Sequence, residues 1–213
     1  METYINEEDL EETMVNKVLI ATLYSPEPVL LAANRLGPDR LILLIDKGIK
    51  DKQNESLKVI NDSLGRVIDV KTCKVDVYNI VEVARKVVDI IDLQPKEDRL
   101  FVNVTSGRKT QALGLLFGAY ARHDRISKIA YNPEEDRNTV VYLPRLSFKL
   151  TESQKKILDV VSEIPNGNYA ELAEKAGISR AMFYRAVDEL KDMDLVLNED
   201  GLRLSDAGEI ARL

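Results

Sequence analysis

The chain of 213 residues has few of the side chains from which common metal and enzyme sites are built. It contains one cysteine and one histidine, and it contains no tryptophan. The single Cys73 excludes an internal disulfide and a zinc site of several thiolates, and the single His123 excludes a site of several imidazoles. No apolar run reaches the ~18–20 residues of a membrane-spanning helix, and no signal-peptide pattern is present. We therefore expect a cytoplasmic protein with no metal and no membrane partner.

Charge is distributed unevenly along the sequence. Residues 1–150 carry 22 Lys and Arg against 23 Asp and Glu, whereas residues 151–213 carry 8 against 13, which gives net charges of −1 and −5. Residues 1–13 hold six acids and no base, and this predicts a solvated acidic extension, with a short acidic helix packed on the body as the alternative. Neither region is basic, so any binding to nucleic acid would depend on a few placed cations rather than on a global field.

Residues 14–146 alternate apolar strands with amphipathic helices. Continuous apolar runs such as Lys17–Leu23 and Arg40–Asp46 are typical of strands buried on both faces. Further strands are expected at Val67–Cys73, Leu100–Thr105, Ser127–Tyr131 and Thr139–Leu143. The alternation predicts an α/β fold, a Rossmann-like, mainly parallel sheet with helices on both faces. If the first three strands run outward and the fourth returns beside the first, the strand order is 3-2-1-4-5.

Residues 147–213 show only short helices and one hairpin signal. Thr151 and Ser179 are expected to cap two helices, Gly177 supplies a tight turn, and Asp200-Gly201 predicts a two-stranded hairpin. The order helix, helix, turn, helix, hairpin, helix is typical of a small winged helix-turn-helix domain. Such a domain would present the start of its third helix to double-stranded DNA. The residues expected to contact DNA are Ser179, Arg180, Ala181, Tyr184, Arg185, Lys191 and Arg203.

A second interpretation of this C-terminal domain stays open. Its net charge of −5 favours a contact with protein, either a partner or a second copy, over a contact with DNA. Arg185 can also pair with Glu189, which lies four residues later on the same helical face.

The loops after the first and fourth strands carry the best candidates for a ligand site. In a sheet of the predicted order they open into one crevice at the carboxyl ends of the strands. The loop after the fourth strand places hydroxyls, a glycine, Arg108 and Lys109 at a helix N-terminus, which favours an anion such as phosphate. The patterns of a P-loop and of a hydrolase elbow both fail here at their required glycines. An ordinary strand–helix connection is the alternative.

Three other residue types have structural interpretations. His123 suits a helix C-terminus, and Cys73 is expected to be a small buried apolar side chain. Gly114 and Gly118 are four residues apart and predict close approach of their helix to the sheet or to a symmetry mate.

The segment Asn103–Lys109 (NVTSGRK) resembles the signature loop of the CARF domain, the CRISPR-associated Rossmann fold, and Leu19–Pro28 resembles its first strand and loop. A CARF domain followed by a winged helix-turn-helix is similar to the transcription regulators of archaeal type I-A CRISPR systems. The resemblance implies a homodimer formed through the CARF domains, with a cyclic oligoadenylate, expected to be the tetra-adenylate, bound across its axis. The residues implied in ligand binding are Tyr24, Ser25, Pro26, Asn103, Thr105, Ser106, Gly107, Arg108 and Lys109.

One departure from the family concerns Ser106, because the family often has glycine at this position. If the position requires a positive φ, Ser106 would be strained. The first hypothesis is a ligand-responsive, DNA-binding regulator of CRISPR genes that has no cofactor and is not an enzyme. Two alternatives remain: a ring nuclease that cleaves its cyclic ligand, and an adaptor that docks on a CRISPR effector complex.

Overall fold

The computed structural model describes residues 15–48, 51–136, 139–144, 150–198 and 201–213. The predicted acidic extension and the predicted domain boundary at residues 146–147 lie outside these residues. The first unit consists of β1 (Lys17–Thr22), α1 (Pro26–Leu36), β2 (Arg40–Asp46), α2 (Asp51–Leu64), β3 (Asp69–Val75), α3 (Ile80–Asp92), β4 (Arg99–Asn103), α4 (Lys109–Ala121), β5 (Ile126–Tyr131) and β6 (Val141–Leu143).

The sheet has the strand order β3-β2-β1-β4-β5-β6. All neighbouring strands are parallel except β5 and β6, which are antiparallel. The predicted order 3-2-1-4-5 is confirmed. The chain winds outward from β1 through β2 to β3 and then returns to place β4 on the other side of β1. The switch point of the sheet therefore lies between β1 and β4, and the two candidate loops follow these neighbouring strands.

Helices cover the sheet from both sides. Alternate residues of β1 point to opposite faces, so Val18 and Ile20 join one buried cluster with α3 and α4, while Leu19 and Ala21 join another with α1 and α2. Burial of β1 and β2 on both faces explains why their sequences read as continuous apolar runs.

The glycines of α4 are explained by a neighbouring helix. A Cβ added at Gly114 would lie 2.6 Å from Cβ of Val83, and one added at Gly118 would lie 2.6 Å from Cβ of Val87. These two valines belong to α3, so the expected close approach exists but is made to α3. The expectation that the glycines face the sheet or a symmetry mate is therefore wrong.

Strand β3 begins two residues later than the alternation predicts. Val67 is 78% exposed, and its N–H donates to the carbonyl oxygen of Leu64 at the end of α2. This turn delays the strand until Asp69. Cys73 within the strand is half-buried rather than fully buried, and burial raises the pKa of its thiol.

The second unit consists of α5 (Glu152–Glu163), α6 (Tyr169–Ala176), α7 (Arg180–Asp192), the antiparallel strands β7 (Val196–Leu197) and β8 (Arg203–Leu204), and α8 (Asp206–Ala211). Thr151 caps α5 through a reciprocal capping box, and Ser179 caps α7, as expected. Gly177 ends α6 with φ +66°. The helices and strands of the second unit share one apolar core, in which Phe183 is fully buried. The assignment of this unit to the winged helix-turn-helix class stays a prediction.

The second unit contacts the first through its last helix, α8, which packs against α3 and α4. Arg85 of α3 forms an ion pair of 2.5 Å with Glu209 of α8. Arg122, at the end of α4, pairs with Asp92 at 2.8 Å and also donates to the carbonyl oxygen of Leu213. His123 lines a cavity of about 320 Å³ at this contact.

Candidate ligand site at the carboxyl edge of the sheet

Ser106 joins the two loops at the switch point of the sheet. Its hydroxyl oxygen accepts hydrogen bonds from the N–H groups of Tyr24 (2.9 Å) and Ser25 (3.2 Å) and donates to the carbonyl oxygen of Ser25 (3.2 Å). The hydroxyl of Thr22 donates to the carbonyl oxygen of Ser106. With one donated and two accepted bonds, the capacity of the Ser106 hydroxyl is filled. The buried Ser106 side chain therefore positions the loops, and the contact with ligand that the resemblance implies stays a prediction.

The positive φ of the signature loop occurs at Gly107, where φ is +86°. Ser106 does not have a positive φ, so the strain considered for it is absent. A Cβ at Gly107 would lie 2.6 Å from Oε1 of Gln111 and 2.7 Å from Cβ of Thr22. Glycine is therefore required at this position by both its backbone conformation and its surroundings.

A buried amide pair ties the signature loop to the loop after β5. Asn103 donates through Nδ2 to Oδ1 of Asn132 at 2.9 Å, and Oδ1 of Asn103 accepts from the N–H of Thr105 at 3.0 Å. The hydroxyl oxygen of Thr105 accepts from the N–H of Asn132 at 2.8 Å. Asn103 is 2% exposed. Like Ser106, Asn103 thus positions the site. The sequence analysis missed Asn132, although its place directly after β5 was a usable signal.

Helix α2 supports the first loop from the other side. Gln53 donates through Nε2 to the carbonyl oxygen of Leu23 at 2.8 Å, and the Ser56 hydroxyl donates to the carbonyl oxygen of Tyr24 at 2.9 Å. Sequence reasoning did not single out Gln53 or Ser56, because a polar residue on a helix face carries no sign of its partner. The first loop is consequently held by hydrogen bonds to both α2 and the signature loop.

Two cations lie close to the Tyr24 ring, and a third begins the neighbouring helix α4. Nζ of Lys52 is 4.5 Å from the ring centroid, and Cζ of Arg108 is 5.8 Å from it. Lys109 is exposed and is the first residue of α4. Within the described residues, Lys52, Arg108 and Lys109 form no ion pair with a carboxylate. The N-terminus of α4 therefore combines its own partial positive charge with three available cations.

Lys47, just after the end of β2, has its charge paired with a carboxylate. Nζ of Lys47 lies 2.5 Å from Oε1 of Glu82. This hydrogen bond lowers the pKa of Glu82 below its ordinary value and raises the pKa of Lys47. Lys47 is thus less available to an anionic ligand than the cations around Tyr24.

Two hollows flank the joined loops. One, of about 450 Å³, is lined by Ser25, Thr105 and Asn132 together with apolar side chains of α1. The Ser25 hydroxyl makes no capping bond at α1, which begins with Pro26. The other, of about 50 Å³, lies on the side of Lys52 and Arg108. The first hollow offers hydroxyl and amide groups beside the carboxylates of Glu27 and Glu134, and the second offers cations and an aromatic ring beside Asp46.

The structure places the expected DNA contacts mainly near the start of α7. Arg180, Ala181 and Tyr184 are exposed there, and the Ser179 hydroxyl is used as the helix cap, accepting from the N–H of Met182 at 3.3 Å. The Tyr184 ring lies 5.1 Å from the Tyr169 ring. Arg180 forms no ion pair among the described residues, so it is the cation at this end that an anion can reach.

The other expected DNA contacts are dispersed or paired. Arg185 is 80% exposed, and its Nε lies 3.6 Å from Oε1 of Glu189, the pairing that the sequence left open. Nζ of Lys191 lies 3.6 Å from Oδ1 of Asp188. Lys191 is also eleven residues after Arg180, which places it about 16 Å farther along the helix. Arg203 is exposed on β8. The seven candidates therefore do not form one cluster.

The described residues contain no group of three or more His, Cys, Asp or Glu side chains arranged to hold a metal ion. None of the helices in these ranges is long and apolar enough to cross a membrane.

Comparison with known proteins identifies the family. The family described as "HFX_2341_N:-like, N-terminal" matches residues 18–136, more than half of the chain. The chain therefore belongs to this family, and the matched region contains both loops of the candidate site. The comparison with curated proteins gave no significant match.

Similar solved structures agree on the fold. Can2 from Sulfobacillus thermosulfidooxidans, in complex with cyclic tetra-adenylate, is 18% identical with a TM-score of 0.50, covering 92% of this chain and 63% of that one. Protein VC1899 from Vibrio cholerae is 11% identical with a TM-score of 0.50, covering 92% and 64%. This chain thus spans less than two thirds of either. The similarity shows a Rossmann-like, CARF-like α/β fold, as the sequence predicted.

Proposed function

We propose that this chain senses a cyclic oligoadenylate and thereby controls the binding of its C-terminal unit to DNA, as a regulator of CRISPR genes. The observation that carries this proposal is the preformed crevice at the switch point, where Lys52 and Arg108 lie at the ring of Tyr24 and Lys109 begins the neighbouring helix α4, none of the three paired with a carboxylate among the described residues. The fold shared with Can2, which was solved with cyclic tetra-adenylate, supports this class of ligand.

The crevice has the chemistry that an oligonucleotide requires. Phosphates would bind to Arg108, to Lys109 and to the N-terminus of α4. A base would stack on the ring of Tyr24, which is 41% exposed, and the Ser25 hydroxyl, which makes no capping bond, would bond a sugar or phosphate oxygen. Because the loops are held by buried hydrogen bonds, little conformational entropy would be lost on binding.

A second copy of the chain would complete the site. Beside α1, the sheet face over β4–β6 exposes apolar surface, including Tyr142, which is 58% exposed, and the half-buried Phe101. A hollow of about 150 Å³ lies at this surface. A homodimer with two-fold symmetry would bring two copies of the crevice to one ring-shaped ligand. Sedimentation or light scattering with and without ligand tests this assembly.

Helix α4 offers a route from ligand to DNA. It begins in the signature loop, packs along α3, and reaches α8 of the second unit. The ion pair between Arg85 and Glu209 joins α3 to α8 directly. We propose that the second unit is a winged helix-turn-helix and that ligand changes the relative placement of its two copies, and so their fit to spaced half-sites.

The test is calorimetry with cyclic tetra-adenylate. Lys109→Ala and Arg108→Ala should each weaken binding by about 1–3 kcal/mol if the cations contact phosphate directly. Lys96→Ala is the matched control, since Lys96 is an exposed cation just before β4, at the edge of the sheet opposite the loops, and it should bind like the wild type. Unchanged affinity in both loop variants would contradict the proposed site.

A binding role without catalysis is part of the same proposal. The protein incubated with cyclic tetra-adenylate should release no linear adenylates on chromatography, and their appearance would favour the ring nuclease. Gel shifts with the DNA upstream of the gene, with and without ligand, test regulation. A protein without measurable affinity for DNA at low salt would favour the adaptor.

A further inference from the structure

Tyr78 is a large aromatic side chain held in solvent by a well-anchored loop. It follows β3 and is 67% exposed, whereas the preceding Val77 is 2% exposed. The N–H of Tyr78 donates to Oδ1 of Asp76 at 3.0 Å, and Asn79 caps α3 by accepting from the N–H of Glu82 at 3.0 Å. Because both neighbours of Tyr78 are fixed, the exposure of its ring is a defined feature of the loop.

The loop of Tyr78 is also tied to the signature loop's helix. The Thr110 hydroxyl, in the first turn of α4, donates to the carbonyl oxygen of Val77. Through this bond the β3–α3 loop becomes a third wall of the crevice, beside the loops that follow β1 and β4. Sequence reasoning considered only those two loops.

Tyr78 and Tyr24 flank the same guanidinium group. Cζ of Arg108 lies 5.9 Å from the Tyr78 ring centroid and 5.8 Å from that of Tyr24. Arg108 has no carboxylate partner among the residues that the structure describes, so it is free to turn to a phosphate. Alternating cations and aromatic faces characterise surfaces that bind single-stranded oligonucleotides, in which phosphates and bases alternate as well.

We infer that Tyr78 is a stacking platform for a nucleobase of the ligand whose phosphates bind to Arg108 and Lys109. The inference rests on the proposed function and adds to it a third loop and a second aromatic contact. Stacking uses the flat face of a base and tolerates different bases, so Tyr78 contributes affinity and the hydrogen-bonding groups of the crevice set the choice of base.

The first test compares Tyr78→Ala with Tyr78→Phe in the full chain by calorimetry with cyclic tetra-adenylate. Loss of a stacked ring should weaken binding on the order of tenfold in Tyr78→Ala. Tyr78→Phe keeps the ring and should bind like the wild type. Leu93→Ala is the matched control, because Leu93 is 79% exposed beyond the opposite end of α3 and should have no effect on affinity.

The second test uses the absence of tryptophan from the sequence. Tyr78→Trp places a single indole at the platform, and a base stacked on it should quench its fluorescence as ligand is added. Leu93→Trp places the same probe away from the crevice and should show no ligand-dependent change.

The outcomes separate this inference from the function on which it rests. A wild-type protein that does not bind cyclic tetra-adenylate would overturn both. Full affinity in Tyr78→Ala together with weakened binding in Lys109→Ala would overturn the platform and leave the proposed function intact. An unquenched Tyr78→Trp at saturating ligand would equally overturn the platform.

Discussion

The crevice at the carboxyl edge of the sheet and the outer face of α7 both carry arginine and lysine side chains, but the two regions differ in whether these cations are paired with carboxylates. Around the crevice, Arg108 and Lys109 have no carboxylate partner within the described residues. On α7, Arg185 lies 3.6 Å from Glu189, and Lys191 lies 3.6 Å from Asp188. Exposed pairs at these spacings contribute little to stability, yet they reduce the positive potential that an anion meets.

The two regions also differ in how their side chains are held. Buried hydrogen bonds of Ser106 and Asn103 fix the crevice loops, whereas the exposed side chains of α7 are held by surface contacts such as that between the rings of Tyr184 and Tyr169. The crevice therefore offers one fixed geometry to the anionic ligand that we propose. The face of α7 is suited to weaker contacts that a second copy of the chain would have to reinforce.

The largest expected effect concerns Gly107. Gly107→Ala should lower the free energy of unfolding by about 2–5 kcal/mol, because the residue has a positive φ and its new Cβ would overlap Gln111 and Thr22. Binding of cyclic tetra-adenylate should be lost with the loop geometry. Denaturant unfolding and calorimetry measure the two effects.

Gly177→Ala is the matched control for this substitution. Gly177 also has a positive φ, but a Cβ there meets no atom within 4 Å, so only about 1 kcal/mol should be lost. Equal destabilisation by the two substitutions would show that the crowded surroundings of Gly107 do not matter, and it would weaken the contrast between the regions.

The next effect separates two hydroxyls of the crevice. Ser106→Ala leaves the N–H groups of Tyr24 and Ser25 without their partner and should cost about 1–3 kcal/mol of stability, since Ser106 is buried. Ser25→Ala removes a hydroxyl without a capping bond and should leave the melting temperature unchanged while weakening ligand binding. A melting temperature unaffected by Ser106→Ala would contradict the positioning role.

Much of the fold was predictable because β1 and β2 are buried on both faces, which requires apolar residues at nearly every position. Both strands read as continuous apolar runs, and Gly37-Pro38 separates α1 from β2, so the alternation of strands and helices was readable. The strand order required the further assumption that the fourth strand returns beside the first. At β3 the same reasoning failed by two residues, since Val67 is apolar but exposed in a turn. Apolar character indicates burial only on average, and a hydrogen bond to Leu64 decided the boundary.

The place of the candidate ligand site in the fold was predictable from the sequence, whereas the role of each residue in it was less so. Strand order alone brings Tyr24 and Arg108 to one edge. It does not reveal that the Ser106 hydroxyl is consumed by backbone groups of the other loop, because hydrogen-bond partners distant in sequence leave no local pattern. Tyr78 was missed for the same reason: its proximity to Arg108 depends on how the β3–α3 loop folds back.

An effect of similar size is expected for DNA binding at Arg180, which lies beside the exposed Tyr184 at the start of α7. Arg180→Ala should cost about 1–3 kcal/mol on the preferred duplex and narrow the difference from random DNA, if this side chain contacts a base edge. Fluorescence anisotropy with both duplexes measures it. Equal loss on the two duplexes would assign Arg180 to the phosphate backbone.

The smallest effect is expected at Arg185, five residues after Arg180 and about 140° around the helix from it. Since Arg185 is paired with Glu189 in the free protein, Arg185→Ala should weaken binding to specific and random DNA alike, and flatten the salt dependence by at most about one unit of slope. Glu189 also accepts a hydrogen bond from Gln154 at 2.9 Å, so it stays in place when Arg185 is removed.

Glu189→Gln completes the comparison, because it removes the charge that neutralises Arg185 while keeping an acceptor for Gln154. It should tighten binding to both duplexes and steepen the salt dependence if the pair weakens the positive potential of α7. Salt titrations of the two variants measure this. A salt dependence with the same slope in both variants would mean that Arg185 faces away from the DNA. The outer face of α7 would then be better explained as a surface that binds protein.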